Sequence, residues 1–251
     1  MVSKLDINCD LGEFYGIYDE KRDSKIMPYI SSCNIACGFH SGDPVAIQKT
    51  IRLALENDVA IGAHPSYPDL QGFGRRVMNL SPEELEACVL YQVSALKGMT
   101  ESLGGTLHHV KPHGALYNHA SKNEETALGI VKAIVQVHQD MLIYAPANSV
   151  LSKVAKDAGL QVRSEVFADR RYEDDLSLRS RKLDGAVLHQ TEEVLKQLGN
   201  FLDGKVETHG ELELSIEAET ICLHSDTEGA EVLAADIHEY LKKQNVEVTA
   251  Y

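Results

Sequence analysis

The sequence predicts an α/β protein with parallel strands, laid out either as an open doubly wound sheet or as a closed barrel. Three observations carry this. Seven apolar runs of strand length alternate with longer segments of helical period. The helical segments open on residues that cap free amides. The 251 residues, 43% hydrophobic and 25% charged, suit one barrel-sized domain over 1–251 with a sizeable core. Parallel neighbours need crossover connections, which the helices supply; periodicity alone does not choose between sheet and barrel.

The first strand is Lys4–Leu11 and the second Ile30–Cys37. Asp43-Pro44 then opens a helix: the carboxylate accepts from an unpaired amide, and proline, lacking an N–H, loses nothing at the first helical position. Val59–Ala63 is the third strand. Ser81-Pro82-Glu83-Glu84 is a reciprocal capping box, after which Leu85, Cys88, Val89, Gln92, Val93 and Leu96 keep one helix face mostly apolar until Gly104-Gly105. Strands Leu107–Lys111, Met141–Ala145 and Gln161–Phe167 follow, with Asn123 and Ser149 capping the helices between them. The polar stretch from Ala168 to Lys182 reads as an elaborated loop. Thr191 caps another helix, Glu207–Glu219 alternates as a short extra hairpin does, Thr220–His224 is the last strand and Thr227 caps the last helix. That makes about six helices for seven strands.

Lysine and arginine number 24 against 38 acidic residues, a formal charge of −14. Such a field repels phosphate backbones and anionic lipid, which argues against nucleic-acid and membrane-surface roles. Asp6 and Asp10 interrupt the start before a signal-peptide core forms, and no apolar run approaches the ~18 residues of a membrane span. The expected location is the cytoplasm. Five cysteines are an odd number in apolar contexts, expected as buried free thiols.

Side chains alternate between the two faces of a strand, so parity separates candidates. Asp6, Asn8 and Asp10 share one face of the first strand, opposite Leu5, Ile7, Cys9 and Leu11. Asn34 lies on the second strand's corresponding face, running out to His40. His64 ends the third strand; His109, Lys111 and His113 share a parity at the fourth; Glu165 and Asp169 flank the end of the sixth; His224 and Asp226 end the seventh. Burying an ion costs several kcal/mol unless it is well paired, so stability alone does not explain this whole set. Ligands of parallel α/β folds bind where strand carboxyl ends converge, which places a polar active site there.

Several patterns carry less. Cys33-x3-Cys37-x2-His40 has metal-like spacing, but parity turns both thiols away from the His40 side, so packing explains them better. Gly199–Val206 resembles a phosphate loop yet lacks its Ser/Thr and follows a helix, and Gly72-Phe-Gly74 lacks the third glycine of a dinucleotide fingerprint. His119, His138, His189, His209 and His238 are expected in solvent.

Five segments together resemble one family. They are Asn8-Cys-Asp-Leu-Gly-Glu13, Asn34-Ile-Ala-Cys-Gly-Phe-His40 with Gly42-Asp-Pro44, the stretch Gly62–Arg76, Val110-Lys-Pro-His-Gly-Ala-Leu-Tyr-Asn118, and Glu165-Val-Phe-Ala-Asp-Arg170. In order and over nearly the whole chain they resemble the LamB/YcsF family, whose members are the A subunits of ATP-dependent 5-oxoprolinase. The resemblance implies a distorted seven-stranded (β/α) barrel of the glycoside hydrolase/deacetylase kind. It also implies a hydrolase opening 5-oxo-L-proline to L-glutamate, with ATP as co-substrate and subunits B and C as partners. Ser225 and Glu228 stand where the family usually has glycine and proline, and Asp174-Asp-Leu lacks a common glycine.

The residues suit such chemistry by type. Asp10, Glu165 or Asp169 supplies a general base, with His40, His64 or His113 moving protons near neutral pH. Lys111 stabilises charge developing on oxygen or phosphate. Asn8, Asn34, Arg75, Arg170, His224 and Asp226 are candidates for substrate binding, with Arg75 carried on a Gly- and Pro-rich segment that reads as a lid. Should a divalent metal be present, Asp10, His40 and His64 offer ligands from neighbouring strand ends. Two other functions remain open from residues alone: a stand-alone metal-dependent amide hydrolase or deacetylase, and a subunit that binds a lactam without catalysis.

Overall fold

Parity along the first strand decides the architecture. In the computed structural model, which describes residues 2–15, 21–224 and 229–251, β1 (Lys4–Leu11) buries Leu5, Ile7, Cys9 and Leu11 in the apolar core and keeps Asp6, Asn8 and Asp10 buried as well. Both faces are therefore covered, one by helices and the other by the barrel's own interior. β1 pairs on one side with β2 (Ser32–Ala36), and the order runs on through β3 (Ala60–His64), β4 (Leu107–Val110), β5 (Leu142–Pro146) and β6 (Gln161–Phe167). The last barrel strand, β9 (Thr220–His224), pairs with β6 and returns to β1, aligning Asp10 with His224. All pairs are parallel, so seven strands close into a barrel and the open sheet is excluded.

Between these strands run α1 (Lys21–Ile26), α2 (Pro44–Glu56), α3 (Pro82–Ser102), α4 (Gly114–Ala120), α5 (Glu124–Val137), α6 (Val150–Asp157), α7 (Thr191–Leu202) and α8 (Ala230–Lys243). That is eight helices among the described residues rather than about six. The two unexpected ones, α1 and α4, are six and seven residues long, too short for a helical period to show in sequence. Asp43 accepts from the amides of Val45 and Ala46, Ser81 and Glu84 form the reciprocal box, and Asn123 and Ser149 cap as expected. Thr191 is instead the first residue of α7, behind an N-cap Gln190 that makes no side-chain bond. Thr227 lies outside the described residues, and α8 starts after Gly229.

The hairpin is present as β7 (Lys205–Glu207) against β8 (Glu213–Ser215), and the 168–182 loop is tied by isolated bridges such as Tyr172 to Leu178 and to Thr208. A short β10 (Glu247–Val248) extends the β1 edge just before β9 takes over. Four cysteines are buried and Cys88 is half-buried, all as free thiols. None of the described helices is long and apolar enough to cross a membrane.

One glycine shows how tightly the interior is filled. A Cβ on Gly62 would stand 2.1 Å from His109 Nε2, and the His109 ring cannot retreat because Tyr144 stacks on it with centroids 4.0 Å apart. Gly98, in the middle of α3, has open space around its missing Cβ. Gly62→Ala is expected to destabilise the fold by ~1–3 kcal/mol through overpacking, whereas Gly98→Ala stabilises it by up to about 1 kcal/mol. Chemical denaturation of the two variants checks both signs.

Candidate active site

The barrel interior is polar from floor to mouth. At the floor Asp6 accepts from the hydroxyls of Ser31, Ser32 and Thr220 at 2.6, 2.8 and 2.5 Å. Burial pushes its carboxyl upward, against the pull of these donors. One layer up, His109 Nε2 donates to Asn34 Oδ1 at 2.7 Å. Asn34 Nδ2 donates to Asn8 Oδ1 at 2.7 Å and Asp10 Oδ1 at 2.9 Å, and Asn8 Nδ2 donates to Glu165 Oε1 and Thr220 Oγ1. Each amide oxygen and nitrogen is thereby assigned, because every partner's direction is fixed by the next.

Lys111 caps this network. Its amide bonds the Ala63 carbonyl at 2.9 Å, continuing the β3–β4 ladder one residue past β4 and aiming the side chain inward. Nζ meets Asp10 Oδ1 at 3.0 Å, Glu165 Oε1 at 2.9 Å, Asn8 Oδ1 at 3.1 Å and Cys222 Sγ at 2.9 Å. Burial works against its charge, but the Asp10 and Glu165 carboxylates outweigh that and hold its pKa well above the ordinary lysine range. Lys111 is a fixed cation. Glu165 is completed by Tyr117, whose hydroxyl donates to Oε2 at 2.5 Å; burial, then the Glu165 charge, keeps that phenol protonated.

At the mouth three imidazoles meet a carboxylate. His64 Nδ1 donates to the Lys111 carbonyl at 2.7 Å and its Nε2 lies 3.3 Å from Asp10 Oδ2. His113 and His40 stack with centroids 3.8 Å apart, and Glu13 Oε1 reaches His40 Nε2 at 2.9 Å and His113 Nδ1 at 3.3 Å. Burial first, then the neighbouring imidazoles, pushes His40 and His113 well below the ordinary histidine range, so both rings are neutral at pH 7. Glu13, His40, His64 and His113 each bring one ligand atom within 4.8 Å of the others, a cluster able to hold a metal ion. Gly74 backs the rings at φ +63°, where a Cβ would come within 2.8 Å of His113 Cδ2.

A cavity of about 910 Å³ opens above, lined by Asp10, His64, Lys111, His113 and Glu165 at its base. Of the residues expected to act, these five meet there. His40 is buried beside them without lining the cavity, and Asp169 is buried in the 168–182 loop, off the cavity wall. Asn8 and Asn34 lie in the network beneath it, so they brace the floor and do not face the cavity. Arg75 and Arg170 line the wall, but Arg170 donates to the carbonyls of Ala186 and Arg179 and so pins its loop. Arg76 is paired with Asp69, whose carboxyl it draws down to about 2. The His224 side chain and Asp226 lie outside the described residues. In the metal-capable set, Glu13 and His113 join His40 and His64, with Asp10 alongside.

Sequence reasoning missed Glu13, which stands two residues past the end of β1 and therefore carries no strand parity, and Tyr117, which sits on the short α4. It also expected His119 in solvent. That ring is half-buried, bonded to Tyr67 OH at 2.9 Å, and lines the cavity. The segment from Pro65 to Arg75 reads as a lid but is fastened: His113 N bonds Pro65 O, Ala115 N bonds Gly74 O, and His113 Nε2 donates to Phe73 O at 2.8 Å.

Fold and site together define a class, a closed parallel barrel with an ionisable pit at the carboxyl ends of its strands. The chain belongs to the LamB/YcsF family, whose pattern matches residues 5–251. It is 48% identical over 248 residues to the 5-oxoprolinase A subunit of Acinetobacter baumannii strain ACICU, covering 98% of each chain. To the 5-oxoprolinase A subunit of Geobacillus thermodenitrificans it is 44% identical, covering 98% of this chain and 96% of that one. The crystal structure of a lactam utilization protein from Thermus thermophilus superposes with a TM-score of 0.93 at 42% identity, covering 99% of this chain and 100% of that one.

The network has a measurable pH signature. Burial, reinforced by His108 and Lys111, pushes His109 well below the ordinary histidine range. The unfolded chain therefore takes up this proton first, and stability is lost as pH falls below about 6.5, by up to ~1.4 kcal/mol per pH unit for each such group. His109→Gln keeps a donor for Asn34 but cannot titrate. Denaturation between pH 7 and 5 is expected to show a shallower loss for the variant than for the parent.

Proposed function

We propose that this chain is the lactam-opening A subunit of an ATP-dependent 5-oxoprolinase, converting 5-oxo-L-proline to L-glutamate with subunits B and C. One observation carries the reading. The cavity presents seven lysine or arginine side chains against four carboxylates, in a chain whose net charge is −14. Such a pit favours an anionic ligand that the rest of the surface repels, and a lactam carboxylate, with or without an added phosphoryl group, is one. The names of the relatives agree with it.

A five-membered lactam is a stabilised amide that re-forms readily, so hydrolysis needs a drive. Transfer of the terminal phosphoryl group of ATP to the lactam oxygen makes the ring carbon electrophilic. Water adds to that carbon, its proton passing to a carboxylate. The C–N bond then breaks with that proton returned to nitrogen, leaving an acyl phosphate that a second water hydrolyses to L-glutamate and phosphate.

Asp10 is the base that the geometry favours. Both oxygens of Glu165 are engaged by Asn8, Lys111 and Tyr117, and that residue positions the lysine. Asp10 lines the cavity and turns Oδ2 toward His64. Lys111 stabilises negative charge on the substrate oxygens without giving up a proton. Arg75, on the wall with its guanidinium carbon 4.9 Å from the Phe73 ring centroid, receives the substrate carboxylate. Should the cluster hold a metal, Glu13, His40, His64 and His113 would be its ligands, and the ion would polarise a bound oxygen.

The test is 5-oxoproline loss, with and without ATP, by the chain alone and with subunits B and C. Turnover is expected only with ATP and partners. In that assembly Asp10→Asn should lower kcat by ~10²–10⁴. Arg75→Ala should raise KM, and Arg52→Ala, on α2, should leave both unchanged. Amide hydrolysis by the chain alone without nucleotide would overturn the reading.

A further inference from the structure

The mouth of the barrel gathers four nitrogen and oxygen ligand atoms within 4.8 Å of one another. The His64 Nδ1–H is committed to the Lys111 carbonyl and the His113 Nε2–H to the Phe73 carbonyl. A carbonyl can only accept, so the ring nitrogens left over on these two residues are His64 Nε2 and His113 Nδ1. These two nitrogens face one another across 3.0 Å. Around them stand Glu13 Oε1, 3.3 Å from His113 Nδ1, and Asp10 Oδ2, 3.3 Å from His64 Nε2. His40 adds a third ring, held through Nε2 by Glu13 at 2.9 Å, while its buried Nδ1 has no hydrogen-bond partner.

We propose that Glu13, His40, His64 and His113 form the binding site of one divalent transition-metal ion of the zinc class. Three imidazole nitrogens and one carboxylate are a borderline-soft donor set, which suits zinc, cobalt or manganese and disfavours calcium and magnesium, whose sites are built from oxygen. Ligand atoms at ~2.0–2.1 Å from a tetrahedral ion stand about 3.3 Å apart; three of the six pairs here stand at 2.9, 3.0 and 3.3 Å, and all four ligand atoms lie within 4.8 Å of one another. The carbonyls of Lys111 and Phe73 already do what outer partners of metal-bound histidines do, fixing which nitrogen is free to bind. Glu13, His64 and His113 also line the cavity, so the ion would be in reach of a substrate oxygen. The inference stands whether or not that substrate is a lactam.

The test uses the full chain purified without a metal-affinity step and stripped with chelator. Zn²⁺ is titrated by calorimetry and Co²⁺ by visible absorption. Expected are one equivalent of each, a zinc Kd below about 1 μM, and visible cobalt bands of a nitrogen-rich site. His113→Ala and Glu13→Gln should each weaken binding by at least ~10-fold, while His189→Ala, in an exposed loop, leaves it unchanged; circular dichroism checks that the variants fold. Less than about a tenth of an equivalent on the folded parent would overturn the proposal, as would undiminished binding by folded Glu13→Gln and His113→Ala. Imidazole ¹⁵N spectra give a second reading that needs no variant: His64 Nε2 and His113 Nδ1 should shift on zinc addition, and unchanged signals would place the ion elsewhere.

Discussion

A buried ammonium held between two buried carboxylates constrains the rest of this structure. Lys111 is nearly inaccessible, as are Asp10 and Glu165, and removing one member of such a group typically costs ~3–5 kcal/mol because it strands the others. The three come from β1, the end of β4 and β6, on different sides of the ring. The barrel can therefore close only in the register that brings them together. Asn8 and Asn34 extend that condition downward, since each amide has its donor and acceptor directions fixed by the layer above and below. What fills this barrel is a chain of oriented dipoles ending in charge.

The same arrangement explains why the chemistry sits at one mouth. Strand parity puts Asp6, Asn8 and Asp10 in sequence along the axis, so polarity rises from hydroxyl and carboxyl at the floor to fixed charges and imidazoles at the top. Loops that follow the strands then supply what strands cannot. His113 reaches the site as the N-cap of α4, Glu13 just beyond β1, and Tyr117 one helical turn after His113. The fastened Phe73–Gly74 turn seals the back of the imidazole group, where only a residue without a Cβ fits.

Much of this is legible in the sequence, for identifiable reasons. The seven barrel strands can be placed to within two residues because their apolar runs are bounded by polar or glycine positions, and Asp43, Ser81, Asn123 and Ser149 announce their helices through capping chemistry that is local. Parity groups Asp6, Asn8 and Asp10 on one face of β1 and His109 with Lys111 at β4, and these are the faces that the barrel turns inward. What escapes is non-local or short. Ring closure depends on β9 meeting β1 more than two hundred residues away in sequence, α1 and α4 are too brief to show a period, and Glu13 and Tyr117 lie off the strands where parity has nothing to say. Asn8 and Asn34 have the right face, yet only packing shows that the network consumes them before a substrate can reach them.

The central claim, that Lys111 is a permanently charged pivot between Asp10 and Glu165, is tested most directly by lysine-selective ¹⁵N NMR of the intact chain across the alkaline range. The account predicts that the Lys111 side-chain nitrogen keeps its ammonium signal above the pH at which exposed lysines titrate, about 10.4. A neutral amine at Lys111 near pH 7 would contradict it.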